Sequence, residues 1–235
     1  MDCRICKTKS IPLFTANNTY KCGNCGHVYI DFKGDGLGYH KDEYRTKGHG
    51  TRVNNEINNG LFTQDFHNAR KTICENRIKK IQNEIHDSNT MLDIGAGGGT
   101  FVKMLKDKIP SIECQEISEI CINNLGKEGF VIYKGDFNDI KFDKKYDLVT
   151  CWHVLEHLKD LEGFVKNAIN VTKKYLVIEV PINRRINDPN IGNWDGHYHY
   201  FSKDSLRLLF KESFDFIRLE EGVQSPALLA IMKKK

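Results

Sequence analysis

Four cysteines stand in the first 25 residues as two C-x-x-C units, Cys3-Arg4-Ile5-Cys6 and Cys22-Gly23-Asn24-Cys25, with 15 residues between the pairs. Each unit can set two thiolates on one tight turn, and two such turns supply the four soft ligands of the tetrahedron that zinc accepts without strain. Every coordination position is then filled. No place is left for an activated water, so the expected role of the ion is to fold a segment too short to build its own core. An iron–sulfur cluster could use the same thiolates. A redox pair would instead be a single C-x-x-C opening a helix in a thioredoxin-like unit. His27 follows Cys25 closely and is expected to be exposed, or at most a spare ligand.

A second kind of chemistry is written at Thr90-Met91-Leu92-Asp93-Ile94, a short apolar run that leads into Gly95-Ala96-Gly97-Gly98-Gly99-Thr100 and then into the helical pattern of Phe101, Val102, Met104 and Leu105. Glycines between a strand and a helix let a ligand approach the backbone, and the helix start offers free N–H groups. A dinucleotide fingerprint would need glycine at position 100, where Thr100 stands. Further along come Val154-Leu155-Glu156-His157-Leu158 and His197-Tyr198-His199-Tyr200. An imidazole titrating near its ordinary pKa of about 6.5 can take a proton from a hydroxyl, which makes His157, His197 and His199 candidate bases. A structural histidine anchoring the turn is the competing reading of His157. In an extended segment His197 and His199 would face one side. Two histidines with no convergent carboxylate set argue against a second metal site there.

The elements that must position these groups follow from periodicity. Cys74, Ile78, Ile81 and Ile85 lie on one face of a helix over 67–86. Strands are expected at 90–94, 112–117, 130–133, 146–151, 174–180, 214–219 and 227–232, with Ser118 and Ser202 as helix N-caps. Residues 31–66, rich in Gly, Asn, Lys and His, read as a linker or lid between an N-terminal unit, 1–30, and the domain over 67–235.

The string Asp93-Ile94-Gly95-Ala96-Gly97-Gly98-Gly99 resembles the first motif of class I S-adenosylmethionine-dependent methyltransferases, and the later strands and acids fall in that family's order. The resemblance implies an α/β fold: a Rossmann-like, seven-stranded, mostly parallel sheet flanked by helices, with five intervening helices and a terminal antiparallel hairpin. It assigns Gly95, Gly97 and Gly99 to the methionine part of the cofactor and Asp93 to its amino group. Glu116 is assigned to the ribose, Asp136 to the adenine amino group and Phe137 to the adenine ring. Val154–Leu158 after the strand Tyr146–Cys151 looks like a branch that modifies small molecules, including sugars and quinone precursors, in which the strand end and turn, here Cys151 and His153, border cofactor and acceptor. The cysteine pairs resemble a zinc ribbon.

The expected activity is therefore transfer of a methyl group from S-adenosylmethionine to a hydroxyl, or less readily an amine or carbon, of a small molecule such as a sugar-containing metabolite. Ribosomal RNA methylation is the alternative that the ribbon suggests, and a non-catalytic cofactor-binding regulator is another. Of 235 residues, Lys and Arg exceed Asp and Glu by 35 to 31, and Lys233–Lys235 forms the one basic run at an end. So small a surplus does not argue for nucleic acid. No apolar run approaches the roughly 20 residues of a membrane helix. The first ten residues carry no apolar core of a secretory signal, which makes the cytoplasm the expected compartment. No motif speaks to oligomeric state.

Overall fold

The computed structural model describes residues 1–14, 18–31, 64–182, 197–224 and 226–235. Nearly all of the expected linker or lid lies outside these described residues. The chain divides into two compact units. One draws on Met1–Gly34, Cys151–Asn170 and Lys174–Lys235, and the other on Asp35–Thr150 and Val171–Lys173.

Seven strands form one sheet in the order β10-β11-β8-β7-β4-β5-β6, made of β4 (Thr90–Ile94), β5 (Ser111–Glu116), β6 (Val131–Lys134), β7 (Tyr146–Trp152), β8 (Thr172–Pro181), β10 (Phe214–Glu221) and β11 (Ala227–Lys234). β4–β5 and β5–β6 are parallel, whereas β11 runs antiparallel to both β8 and β10. The architecture is the expected Rossmann-like one, and every strand matches its sequence prediction to within two residues. All seven residues of β7 are buried, as a central strand covered on both faces requires.

Helices α1 (Gln64–Lys80) and α2 (Gln82–His86) replace the single helix expected over 67–86, with a break at Ile81, whose N–H reaches the carbonyls of both Arg77 and Ile78. α3 (Thr100–Lys103) joins β4 to β5, α4 (Glu119–Lys127) joins β5 to β6, α5 (Leu161–Val171) precedes β8 and α6 (Lys203–Phe210) precedes β10. Four helices thus intervene among the described residues, not five. Between β6 and β7 the chain turns through 135–145 without one, because Asp136 closes an Asx turn, its Oδ1 accepting from Asn138 N at 2.9 Å. Ser118 stands at the N-cap of α4 but makes no side-chain cap, and its own N–H donates to Glu116. Ser202 does cap α6, in a reciprocal box with Ser205.

A separate four-stranded sheet, in the order β1-β2-β3-β9, contains β1 (Ser10–Phe14), β2 (Thr19–Cys22), β3 (Val28–Ile30) and the two-residue β9 (His199–Tyr200). Val28 pairs with Tyr200 and Tyr29 with His199, so the cysteine-bearing segment is completed by residues some 170 positions downstream.

In the other unit, Asp147 Oδ2 accepts from the N–H of Asn89 and from the N–H and hydroxyl of Thr90, while Lys173 Nζ lies 3.1 Å from Oδ1. This buried carboxylate fixes the start of β4. Replacing Asp147 with Ala strands several donors, and we expect a loss of about 2–4 kcal/mol, read as a lower thermal midpoint, with strand content retained by circular dichroism.

Candidate active site

The glycine turn is built around two acids. Asp93 ends β4 fully buried and receives the Thr150 hydroxyl at 2.5 Å. Burial pushes its carboxyl up to about 7, with Glu116 adding to the shift and the Thr150 bond and Arg77 opposing it. Glu116 ends β5. Its Oε2 accepts from Gly97 N at 2.7 Å and its Oε1 from Ile117 and Ser118 N at 2.8 and 2.9 Å. Gly99 must be glycine twice over: φ is +80°, and a Cβ would come within 2.7 Å of Leu125 Cδ2. Gly95 and Gly97 also take positive φ, which turns backbone inward as a cradle requires. Asp136 lies half-buried just beyond β6 and Phe137 is buried beside it, against Phe142. A buried acid, a loop whose one side chain is the Ala96 methyl and a second acid at the next strand end fit a cofactor carrying an ammonium and a sugar diol.

His67 was not singled out by the sequence. It lies in the first turn of α1 and its Nδ1 stands 2.8 Å from Thr100 Oγ1, at the start of α3. Burial, helped by Lys103, lowers its pKa.

The other unit gathers its own set of ionisable groups after β7. Cys151 is buried in the strand end, and His153 follows with φ +57°, a conformation that a non-glycine residue adopts only when its surroundings hold it there. They do. His153 Nδ1 lies 3.2 Å from Glu156 Oε1 and its Nε2 3.2 Å from Glu179 Oε1, both carboxylates being fully buried. Burial works against the imidazolium, yet the two carboxylates outweigh it and raise the pKa to about 9. His153 is thus a cation at neutral pH and cannot serve as a base. Glu156 sits in a 3₁₀ turn, Leu155–His157, onto which Tyr198 N donates at 2.8 Å through the Glu156 carbonyl. That bond brings His197 over the turn. The Nε2 atoms of His157 and His197 come to 3.8 and 3.9 Å from the same Oε1 of Glu156, with the two rings edge to face. Burial would raise the Glu156 pKa, but the three imidazoles keep it below the ordinary carboxylate value.

His199 does not join this group. It is fully buried in β9, with Nε2 at 2.8 Å from the Leu158 carbonyl oxygen and Nδ1 at 3.1 Å from His27 Nε2. The expectation that His197 and His199 face one side fails because Tyr198 stands in a bend, so His197 is not in extended register with β9. His27 is buried too, stacked between Tyr29, His199 and Phe201. Its expected exposure is corrected by that packing, and burial lowers its pKa to about 3. The absence of a convergent carboxylate is likewise overturned, by Glu156.

Cys3, Cys6, Cys22 and Cys25 gather their four Sγ atoms within 4.8 Å of one another. Cys3–Cys25 are 3.7 Å apart and Cys6–Cys22 3.3 Å, near the roughly 3.8 Å that a tetrahedral zinc with Zn–S bonds of about 2.3 Å sets between sulfurs. The N–H groups of Ile5 and Cys25 point at the sulfurs of Cys3 and Cys22. The donor set fits zinc.

The model of a family described as a methyltransferase domain matches residues 66–216, more than half of the chain. The chain belongs to that family. Among curated proteins it resembles the ubiquinone biosynthesis O-methyltransferase of Rickettsia bellii, 30% identical over 118 residues, 46% of this chain and 48% of the relative. The Rickettsia felis protein of the same name is 25% identical over 128 residues, 51% and 52% of the two chains. The match thus spans about half the length of these relatives. Among solved structures, magnesium protoporphyrin IX methyltransferase from Synechocystis PCC 6803 with bound SAM has a TM-score of 0.57 at 13% identity, covering 87% of this chain and all of that one. The PH0226 protein of Pyrococcus horikoshii OT3 scores 0.58 at 18% identity, over 74% and 93%. These likenesses are of fold.

The ribbon geometry predicts about one equivalent of zinc per chain by mass spectrometry of the purified protein. Cys22→Ser should remove it and speed amide exchange in both Val28–Ile30 and His199–Tyr200, the two strands that pair.

Proposed function

We propose that the chain is an S-adenosylmethionine-dependent methyltransferase acting on a hydroxyl of a small molecule. The observation that carries this reading is the buried Asp93 beneath a glycine loop that Glu116 ties down through Gly97. When bound, the cofactor supplies an activated methyl: the new C–O bond forms as the C–S bond breaks with its electron pair on sulfur, and the hydroxyl proton departs.

Asp93 would face the cofactor ammonium, the Gly95–Gly99 loop its methionine part, Glu116 the ribose hydroxyls, and Asp136 with Phe137 the adenine. Family resemblance gives the turn after β7 to the acceptor, with Cys151 and His153 bordering it. His153, held as a cation, leaves His157 and His197 as the groups that act on the acceptor proton. The names of the curated relatives favour a quinone precursor over a sugar as acceptor. Cytoplasmic location goes with this reading, and no described helix is long and apolar enough to cross a membrane.

The deciding experiment supplies labelled methyl donor to the protein with a deproteinised cell extract and separates RNA from small molecules. Label in small molecules is expected, and label confined to RNA would overturn the acceptor class. By calorimetry, Asp93→Ala and Glu116→Ala should each weaken binding of S-adenosylhomocysteine about 10-fold or more, in line with 1.5–3 kcal/mol for a hydrogen bond to a charged group.

The Asp93 carboxyl, pushed up to about 7, gives a pH signature. Only the ionised form attracts an ammonium, so binding expels a proton from the protonated form. Affinity should rise as pH climbs through about 7 and level off above it, and the slope should vanish in Asp93→Asn.

A further inference from the structure

We infer that Glu156, His157 and His197 form a binding site for one divalent metal ion, separate from the four-cysteine cluster. One ligand atom from each of these residues lies within 4.8 Å of the other two. Two imidazole Nε2 atoms approach a single carboxylate oxygen at 3.8 and 3.9 Å. Those separations are too long for hydrogen bonds and lie between the ~3.4 Å of a tetrahedral pair and the ~4.2 Å limit for donors about 2.1 Å from a common ion.

The carboxylate itself points to a ligand. Glu156 has no exposed surface; His153 Nδ1 faces its Oε1 at 3.2 Å, while its Oε2 has no hydrogen-bond partner among the described residues. One imidazolium at Oε1 leaves Oε2 buried without a donor, and an ion bound to the carboxylate would answer its remaining lone pairs. The imidazoles keep 13% and 16% side-chain exposure, so the cluster is not sealed from solvent as the carboxylate is. Backbone geometry holds the set in place: Glu156 and His157 share one 3₁₀ turn, and the Tyr198 N–H bond to the Glu156 carbonyl fixes His197 above it. His153, clamped between Glu156 and Glu179, acts as a positioning residue for the carboxylate.

Two imidazoles and one carboxylate with open positions suit zinc, manganese, cobalt or ferrous iron. An acceptor oxygen bound at the open position would have its hydroxyl acidified by the ion. That role rests on the proposed hydroxyl methylation, whereas the site does not. Nε2 of His157 or His197 cannot both hold the ion and take the acceptor proton, so the two modes of activation exclude each other.

The test is titration of the protein, its ribbon first loaded with zinc, with Mn²⁺, an ion that prefers oxygen and imidazole to thiolate. Electron spin echo spectra should show one bound Mn²⁺ per chain with modulation from two imidazole nitrogens. Glu156→Gln should weaken binding at least 10-fold. His197→Ala, at a partly exposed position, should do the same and remove one nitrogen coupling while leaving the thermal midpoint and S-adenosylhomocysteine binding intact. The inference is overturned if the wild-type protein takes up no Mn²⁺ and no second equivalent of Zn²⁺ or Co²⁺, if the bound Mn²⁺ shows no imidazole coupling, or if His197→Ala binds it as tightly. Methyl transfer that proceeds unchanged in metal-free buffer would return His157 and His197 to direct proton transfer without touching the proposed reaction. Absence of transfer with Mn²⁺ bound would sink the reaction and leave the site.

Discussion

A carboxylate with no exposed surface dominates the half of the molecule that contains Glu156. Removing such a group from water costs several kcal/mol unless charge and hydrogen bonds compensate, so the chain around it has little freedom. His153 accepts a left-handed backbone to bring its ring between Glu156 and Glu179, and the turn from Leu155 to His157 is wound tightly enough to add a second imidazole. Tyr198 is tied to the same turn through its N–H, and that tie starts the strand that finishes the four-stranded sheet. Glu179 extends the arrangement, accepting Val223 N and standing so close to Gly222 that a Cβ there would meet its Oε2 at 2.9 Å. Packing, backbone conformation and titration behaviour in this region all trace to the demand that buried negative charge be answered.

The glycine-loop unit solves a similar problem differently. Asp93 is as deeply buried, but its nearest partner is a neutral hydroxyl, so the carboxyl is left close to half-protonated at neutral pH. Glu116 is instead satisfied by three backbone N–H groups and holds the loop at Gly97. One acid is kept responsive to an arriving cation, and the other shapes the loop while its remaining lone pairs serve the proposed ribose contact. The same division recurs after β7, where His153 is committed and His157 and His197 retain accessible edges.

Sequence periodicity resolved the frame well. Strands such as Thr90–Ile94 and Tyr146–Trp152 are unbroken apolar runs, and burial on two faces leaves that mark in composition alone. The cysteine pairs were equally legible, because a C-x-x-C turn is local. What escaped were contacts across long separations. Nothing near His27 announces that His199 lies against it, and nothing near His197 announces Glu156, since each depends on how β9 pairs and where a turn 40 residues earlier is pinned. His67 was missed for the same reason, although it opens a helix whose start is readable. Glu179 could have been flagged: an acid inside Leu176–Val180, an otherwise apolar strand, has to be answered by a buried partner. The lack of a helix between β6 and β7 goes with turn chemistry in Asp136-Phe137-Asn138, which a count of helices taken from family resemblance does not register.

The pairing of β9 with β3 has a meaning for solubility. A small sheet offers two open edges on which a second chain can build, and β3, whose three residues are all buried, would be a hydrophobic one. Two residues from far along the chain close that edge. At the opposite edge β1 carries Pro12, which has no N–H to offer, and an irregular register between Pro12 and Phe14, even though Ile11 is 62% exposed. The metal-bearing sheet is therefore shielded on one side by its own chain and spoiled on the other as a template, a protection against edge-to-edge aggregation that the ligand cysteines alone would not provide.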